Sequence, residues 1–146
     1  MSYATGEGFV LSRVRACAGF NTANTAQSNW KVLNSGSDDH YAILCPGAFT
    51  LEWVTPNTYQ ANWVTLIQVW QRYVDETTTH NNLYGHVNDL LALLAYRHLN
   101  SSTILDASFE GAEAPLEMAN RDGGISWLRW DVRVRWSEQA EVTYAD

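Results

Sequence analysis

The chain has 146 residues, 46% hydrophobic and 17% charged, with a net charge of −7 carried against one Lys and eight Arg. This length suits a single domain over 1–146, and the apolar content excludes a disordered chain. An acidic chain without a basic run is a poor wrapper of nucleic acid, because phosphate neutralisation dominates that affinity.

Seven Trp and seven Tyr are more large aromatics than one core of this size normally absorbs. Core and interface both use such residues. Two cysteines, Cys17 and Cys45, are too few for a disulfide scaffold and form no Cys-x-x-Cys pair. Buried free thiols are the expected state. The N-terminus shows no basic region followed by an apolar run, so no signal peptide is expected. The longest apolar run, 90–96, is too short to span a bilayer, and no membrane partner is expected.

Phe9, Val10, Val14, Cys17 and Ala18 recur at helical spacing. They predict a short amphipathic helix over 7–18, ended near Gly19. Residues 21–39 are polar and read as a long loop pinned by Trp30. Loops of this length inside a domain usually serve a function, and a contact arm is one reading of it.

Residues 41–44 and 49–55 form one strand region broken by Pro46-Gly47. A turn at Pro56-Asn57 leads to 61–73. Its β-branched and aromatic content predicts a strand antiparallel to 49–55. Asp75 to Thr79 has helix-capping chemistry. Leu83, Val87, Leu90, Leu91 and Leu94 then predict the clearest helix, over 79–99. Arg97 and His98 in its last turn would complement its dipole.

A strand is expected at 103–110, an acidic loop with Pro115 at 111–120, and a turn at Asp122-Gly123-Gly124. In 125–136, Leu128, Trp130, Val132, Val134 and Trp136 alternate with Arg129, Asp131, Arg133 and Arg135. Such strict alternation predicts a half-buried strand whose charged face meets solvent or a partner. The expected architecture is α+β: a mainly antiparallel four-stranded sheet, two helices packed on one face, and a long polar loop near the N-terminus.

Motifs for chemistry are sparse. The histidines His40, His80, His86 and His98 form no His-x-x-x-His or Glu-x-x-His pair, so neither metal nor cofactor is expected. They read as ordinary surface histidines. Asp38-Asp39-His40 could hold a general base and its orienter, yet reads better as a polar loop end. Gly-x-Ser-x-Gly is absent, and neither Gly6-Glu7-Gly8 nor Asp122-Gly123-Gly124 has a phosphate-loop setting. The 125–136 charged face lacks the stacking aromatics of an RNA-binding sheet.

The succession Trp70-Gln71-Arg72-Tyr73-Val74, a leucine-rich helix ending near His98, a strand at 104–110, Glu113-Ala114-Pro115-Leu116, Gly123-Gly124 and a final strand 127–136 resembles tail-terminator and tail-completion proteins of long-tailed bacteriophages. The resemblance spans about residues 1–140 and rests on element order, size and the C-terminal strand pair. It implies a structural virion protein, either the terminator or another neck component, with no turnover and no cofactor. It implies a homo-oligomeric ring, commonly a hexamer, that caps the tail tube protein and meets a head-side connector. Double-stranded DNA would pass without specific binding. On this reading Trp30, Asp38 and Asp39 from the loop, and Arg129, Asp131, Arg133 and Arg135 from the strand, would meet a neighbour. Open alternatives are a small protein-binding adaptor, a ligand-binding domain, or an enzyme.

Overall fold

A computed structural model describes residues 3–20, 25–28, 39–93, 106–112, 115–119 and 125–141. In chain order the elements are α1 (Tyr3–Arg15), a 3-10 turn (Ala18–Phe20), β1 (Ala26–Gln27), β2 (His40–Pro46), β3 (Thr50–Thr55), β4 (Thr58–Arg72), α2 (Glu76–Leu93), β5 (Asp106–Ala112), β6 (Leu116–Ala119) and β7 (Ile125–Glu141).

The fold is α+β, with two helices and a mixed sheet. Among the described residues the sheet has seven strands, not the four expected. Neighbours in β2-β4-β7-β5 are all antiparallel. The excess has local causes. Pro46-Gly47 splits the first strand region, so β2 and β3 pair with different stretches of β4. β1 adds two residues parallel to β2. β6 forms where a Pro-containing loop was expected and pairs with the start of β7. Strands of two and four residues are too short to show alternation.

β4 and β7 pair without a break from Thr58↔Glu141 to Arg72↔Trp127. This ladder sets which side chains share a face. Ala42 and Leu44 of β2, Ile67 and Val69 of β4, and Leu128, Val132, Val134 and Trp136 of β7 point to the helices. There they meet Val10 and Val14 of α1, Leu83, Val87 and Leu90 of α2, and Phe20 of the 3-10 turn. Both helices thus cover the same face. The opposite face carries a smaller cluster of Tyr41, Ile43 and Trp70, with Trp127 packed against it.

The helices start earlier than their apolar patterns suggest. Asp75 caps α2: its carboxylate accepts from Thr78 N–H at 2.7 Å and its carbonyl from Thr79 N–H at 3.0 Å. Thr79 Oγ1 accepts in turn from Val74 N–H at 2.9 Å. Capping therefore fixes the start at Glu76 rather than 79. The far end expected for this helix, with Arg97 and His98, lies outside the described residues, as does the Asp122-Gly123-Gly124 turn.

α1 begins at Tyr3, and Gly6 lies inside its first turns. A Cβ on Gly6 would overlap the indole of Trp136, so the helix can approach the sheet only with glycine there. Trp136 is fully buried, and its Nε1–H donates to Thr65 Oγ1 at 3.1 Å. This contact makes Gly6 a packing residue, although glycine inside a helix is unfavourable by itself.

Gly6→Ala should lower stability by about 1–3 kcal/mol through overpacking. Gly8→Ala meets open space and should be neutral or slightly stabilising. Denaturant melts of the two variants check this.

Candidate functional site

Strand and helix lengths do not match. The 15 residues of β4 span about 50 Å at roughly 3.3 Å per residue. The 18 residues of α2 span only about 27 Å. The helices cannot shield the whole sheet, and the end left open is the β3–β4 hairpin.

That hairpin turns at Pro56–Asn57, where Thr55 Oγ1 accepts from Asn57 and Thr58 N–H at 3.3 and 3.0 Å. All six β3 residues are exposed. Leu51 pairs with buried Ala61, and Trp53 with Tyr59, so both point to the helix-covered side. Phe49 stands on that side too, its ring 4.8 Å from Trp63. Trp63 lies 5.9 Å from buried Trp136. Aromatic rings therefore run from the core into solvent. Phe49, Leu51, Trp53 and Val54 are 54%, 50%, 58% and 56% exposed. The first three alone leave on the order of 300 Å² of apolar surface in water, about the size of the largest apolar patch on an ordinary monomer, which is often functional.

Polar groups on both faces at the base of the hairpin are satisfied at most points. Trp63 Nε1–H donates to Glu138 Oε1 at 3.0 Å. Asn62 accepts from Ser137 Oγ at 2.8 Å and donates to Thr50 Oγ1 at 3.3 Å. Glu138 is buried, with Oε2 lacking a hydrogen-bond partner among the described residues.

The opposite face of β7 carries the charged residues. Arg129 and Asp131 bind each other: Nη2 donates to Oδ2 at 3.3 Å, and Nε stands 3.0 Å from Oδ1, a close approach rather than an aligned hydrogen bond. The Arg129 guanidinium also lies 5.5 Å from the Trp70 ring centre. This pair is half-buried and engaged within the chain. Arg133 and Arg135 are exposed. They flank two shallow depressions of about 230 and 240 Å³ at the hairpin base, lined by Gly47, Ala48, Val64 and Leu66 and by Ala48, Thr50, Asn62 and Val64.

A second cluster occupies the other end of β4. His40 and His86 stack with ring centres 4.5 Å apart and planes 22° apart. Phe20 packs against both, at 5.4 and 5.2 Å. His40 Nδ1 lies 2.7 Å from Asp39 Oδ1, and its Nε2 bonds the Gly19 carbonyl. His86 Nε2 lies 3.0 Å from Gln71 Oε1. The hydrogen bond from His40 holds the Asp39 carboxyl below its ordinary value. Burial, and then the neighbouring His40, push His86 below the usual histidine value.

The expected site residues thus fall in three places. Trp30 and Asp38 lie outside the described residues, so the proposed contact arm is represented only by 25–28 and Asp39. Asp39 joins the histidine cluster. Arg129 and Asp131 pair internally, while Arg133 and Arg135 reach the surface. His40 and His86 are not ordinary surface histidines. They are half-buried and 46 positions apart, so local spacing could not reveal their stacking. Phe49, Leu51 and Trp53 were read as strand residues, because alternation does not tell whether the apolar side is covered. Among the described residues no group of three or more His, Cys, Asp or Glu could hold a metal ion, and no helix is long and apolar enough to cross a membrane.

No family model matches the sequence, and no curated protein matches it.

Cys17 is buried, its Sγ 3.6 Å from the Asp89 carbonyl, and desolvation with the Asp89 charge raises its thiol to about 11. Burial raises Cys45 as well. Both should alkylate slowly in the folded protein at neutral pH, because the thiolate is the nucleophile. Mass spectrometry after iodoacetamide treatment checks this against the urea-unfolded chain.

Proposed function

We propose that this chain is a structural subunit of a bacteriophage tail or head–tail neck, assembling with copies of itself into a ring. On this reading the ring is hexameric, caps the tail tube and joins it to the head-side connector.

The observation that carries the reading is the exposed apolar side of the β3–β4 hairpin. Burying about 300 Å² of it would contribute roughly 7 kcal/mol before the cost of association. A ring also needs a second, different surface for a heterologous contact. Arg133 and Arg135, beside the shallow apolar depressions, supply a candidate for it. The family resemblance of the sequence supports the virion location. An α+β domain with two helices on one face of a mixed sheet is compatible with that resemblance. A net charge of −7 suits a ring through which DNA passes without being held.

The histidine cluster gives catalysis less support. Both ring nitrogens of His40 are engaged within the chain, and His86 Nε2 is engaged by Gln71. A general base needs a nitrogen within reach of a substrate proton.

Sedimentation and negative-stain microscopy test the assembly. Closed rings are expected from the wild-type chain. Leu51→Glu with Trp53→Glu should give folded monomers, with an unchanged circular dichroism spectrum. A wild-type protein that stays monomeric and is absent from purified particles would defeat the proposal.

A further inference from the structure

The His40–His86 cluster is not used by the assembly reading, and it joins four separate parts of the chain. Asp39 and His40 open β2, Gln71 closes β4, His86 lies on α2, and Gly19 and Phe20 form the 3-10 turn. These parts are held together by side chains whose protonation the hydrogen bonds define.

Gln71 sets the order of protons. Its amide oxygen Oε1 lies 3.0 Å from His86 Nε2, and an amide oxygen only accepts. His86 therefore donates from Nε2 and is neutral, with its lone pair on Nδ1. That Nδ1 lies 3.4 Å from where a Cβ on Gly19 would stand. His40 lies between two acceptors, with Nδ1 at Asp39 Oδ1 and Nε2 at the Gly19 carbonyl. The two rings lie flat on each other.

We propose that the stacked His40–His86 pair is a pH-sensitive latch, which fastens the 3-10 turn to β2 and α2 while His86 is neutral and releases it when His86 takes a proton. A proton on His86 would charge a half-buried ring stacked 4.5 Å from His40, centre to centre, and would take up the lone pair of its Nδ1. The charged groups facing His86 are His40, which opposes the proton, and Asp39 and Asp89, which favour it. Cys17, on the turn side, stays a neutral thiol. Burial and His40 together outweigh the two carboxylates, so the folded state holds His86 below 6.5. A depressed histidine contributes stability above its unfolded value, and that stability is lost as pH falls through the folded value. The latch therefore opens on acidification, and release exposes Phe20 and Cys17, which are 0% and 3% accessible when it is closed.

The test is imidazole 15N NMR of the whole chain from about pH 8 to about pH 5. Alongside it, Cys17 is labelled with a dipyridyl disulfide in a Cys45→Ser background, with rates taken relative to the urea-unfolded chain. The expected result is His86 as the Nε2–H tautomer at neutral pH, protonating below 6.5, with Cys17 labelling accelerating at the same midpoint. His86→Phe keeps an aromatic ring against His40 and Phe20 and should label slowly throughout. The proposal is overturned if His86 is the Nδ1–H tautomer, if Cys17 stays shielded while His86 protonates, or if His86→Phe accelerates as the wild type does. Should His86→Phe fail to fold, the coincidence of midpoints in the wild type decides the matter alone.

Discussion

The unbroken ladder between β4 and β7 is the constraint on which the other features depend. It runs for the whole length of β4, and each flank receives its further strands in fixed positions. Slipping it by one residue would turn Arg133 and Arg135 into the core and Trp136 into solvent. Trp136 holds the register in three ways at once. Its ring occupies the space above Gly6, its N–H binds Thr65, and its face meets Trp63. A side chain of this size, fully buried, costs about 3–5 kcal/mol to truncate to Ala. No competing register offers a site for it.

The same ladder creates the exposed hairpin. Two strands this long outreach any single layer formed by helices of 13 and 18 residues. A protein that functions alone could end its strands where the helices end, or place polar residues beyond that point. Here β4 and β7 continue, β3 is added, and the apolar side of the alternation continues as Phe49, Leu51 and Trp53. Edge strands with exposed apolar side chains are association hazards that proteins usually blunt. Glu52 is the only charge on β3. The hydrophobic side of the hairpin is therefore the surface on which the proposed assembly rests.

Much of the fold was legible because it is written in periodicity. The β7 alternation, the Leu83, Val87 and Leu90 part of the α2 stripe, the Asp75 cap and the hairpin turn each express a local rule and are in place, while Leu91 of that stripe is exposed and Leu94 lies outside the described residues. What escaped depends on tertiary placement. β1 and β6 are too short to carry a pattern. The packing of α1 on the sheet is set by Gly6 under Trp136, a contact between residues 130 positions apart. Arg129 and Asp131 alternate with the apolar residues as strictly as Arg133 and Arg135 do. One pair is nevertheless half-buried, with Arg129 over Trp70, and the other is exposed, because the small second cluster of Tyr41, Ile43 and Trp70 covers only one end of that face. Alternation separates the two faces of a strand but carries no information on how far along each face the cover extends.

The two ends of β4 are consequently different in kind. At Gln71 the chain is polar, with His40 bound to Asp39 and Gly19 and His86 to Gln71, and these contacts depend on where the ring protons lie. At Tyr59 the surface is apolar, and its attraction for a partner does not change with protonation. About 12 residues of strand separate them, roughly 40 Å at the rise of an extended chain. This distance exceeds several Debye lengths at physiological salt. Direct electrostatic influence of one end on the other is therefore negligible. Coupling between them would have to pass through packing, by way of α1, which touches Trp136 at one end and leads into the 3-10 turn at the other. A helix that is short, and stable only while docked, is the part of this structure most able to carry such coupling.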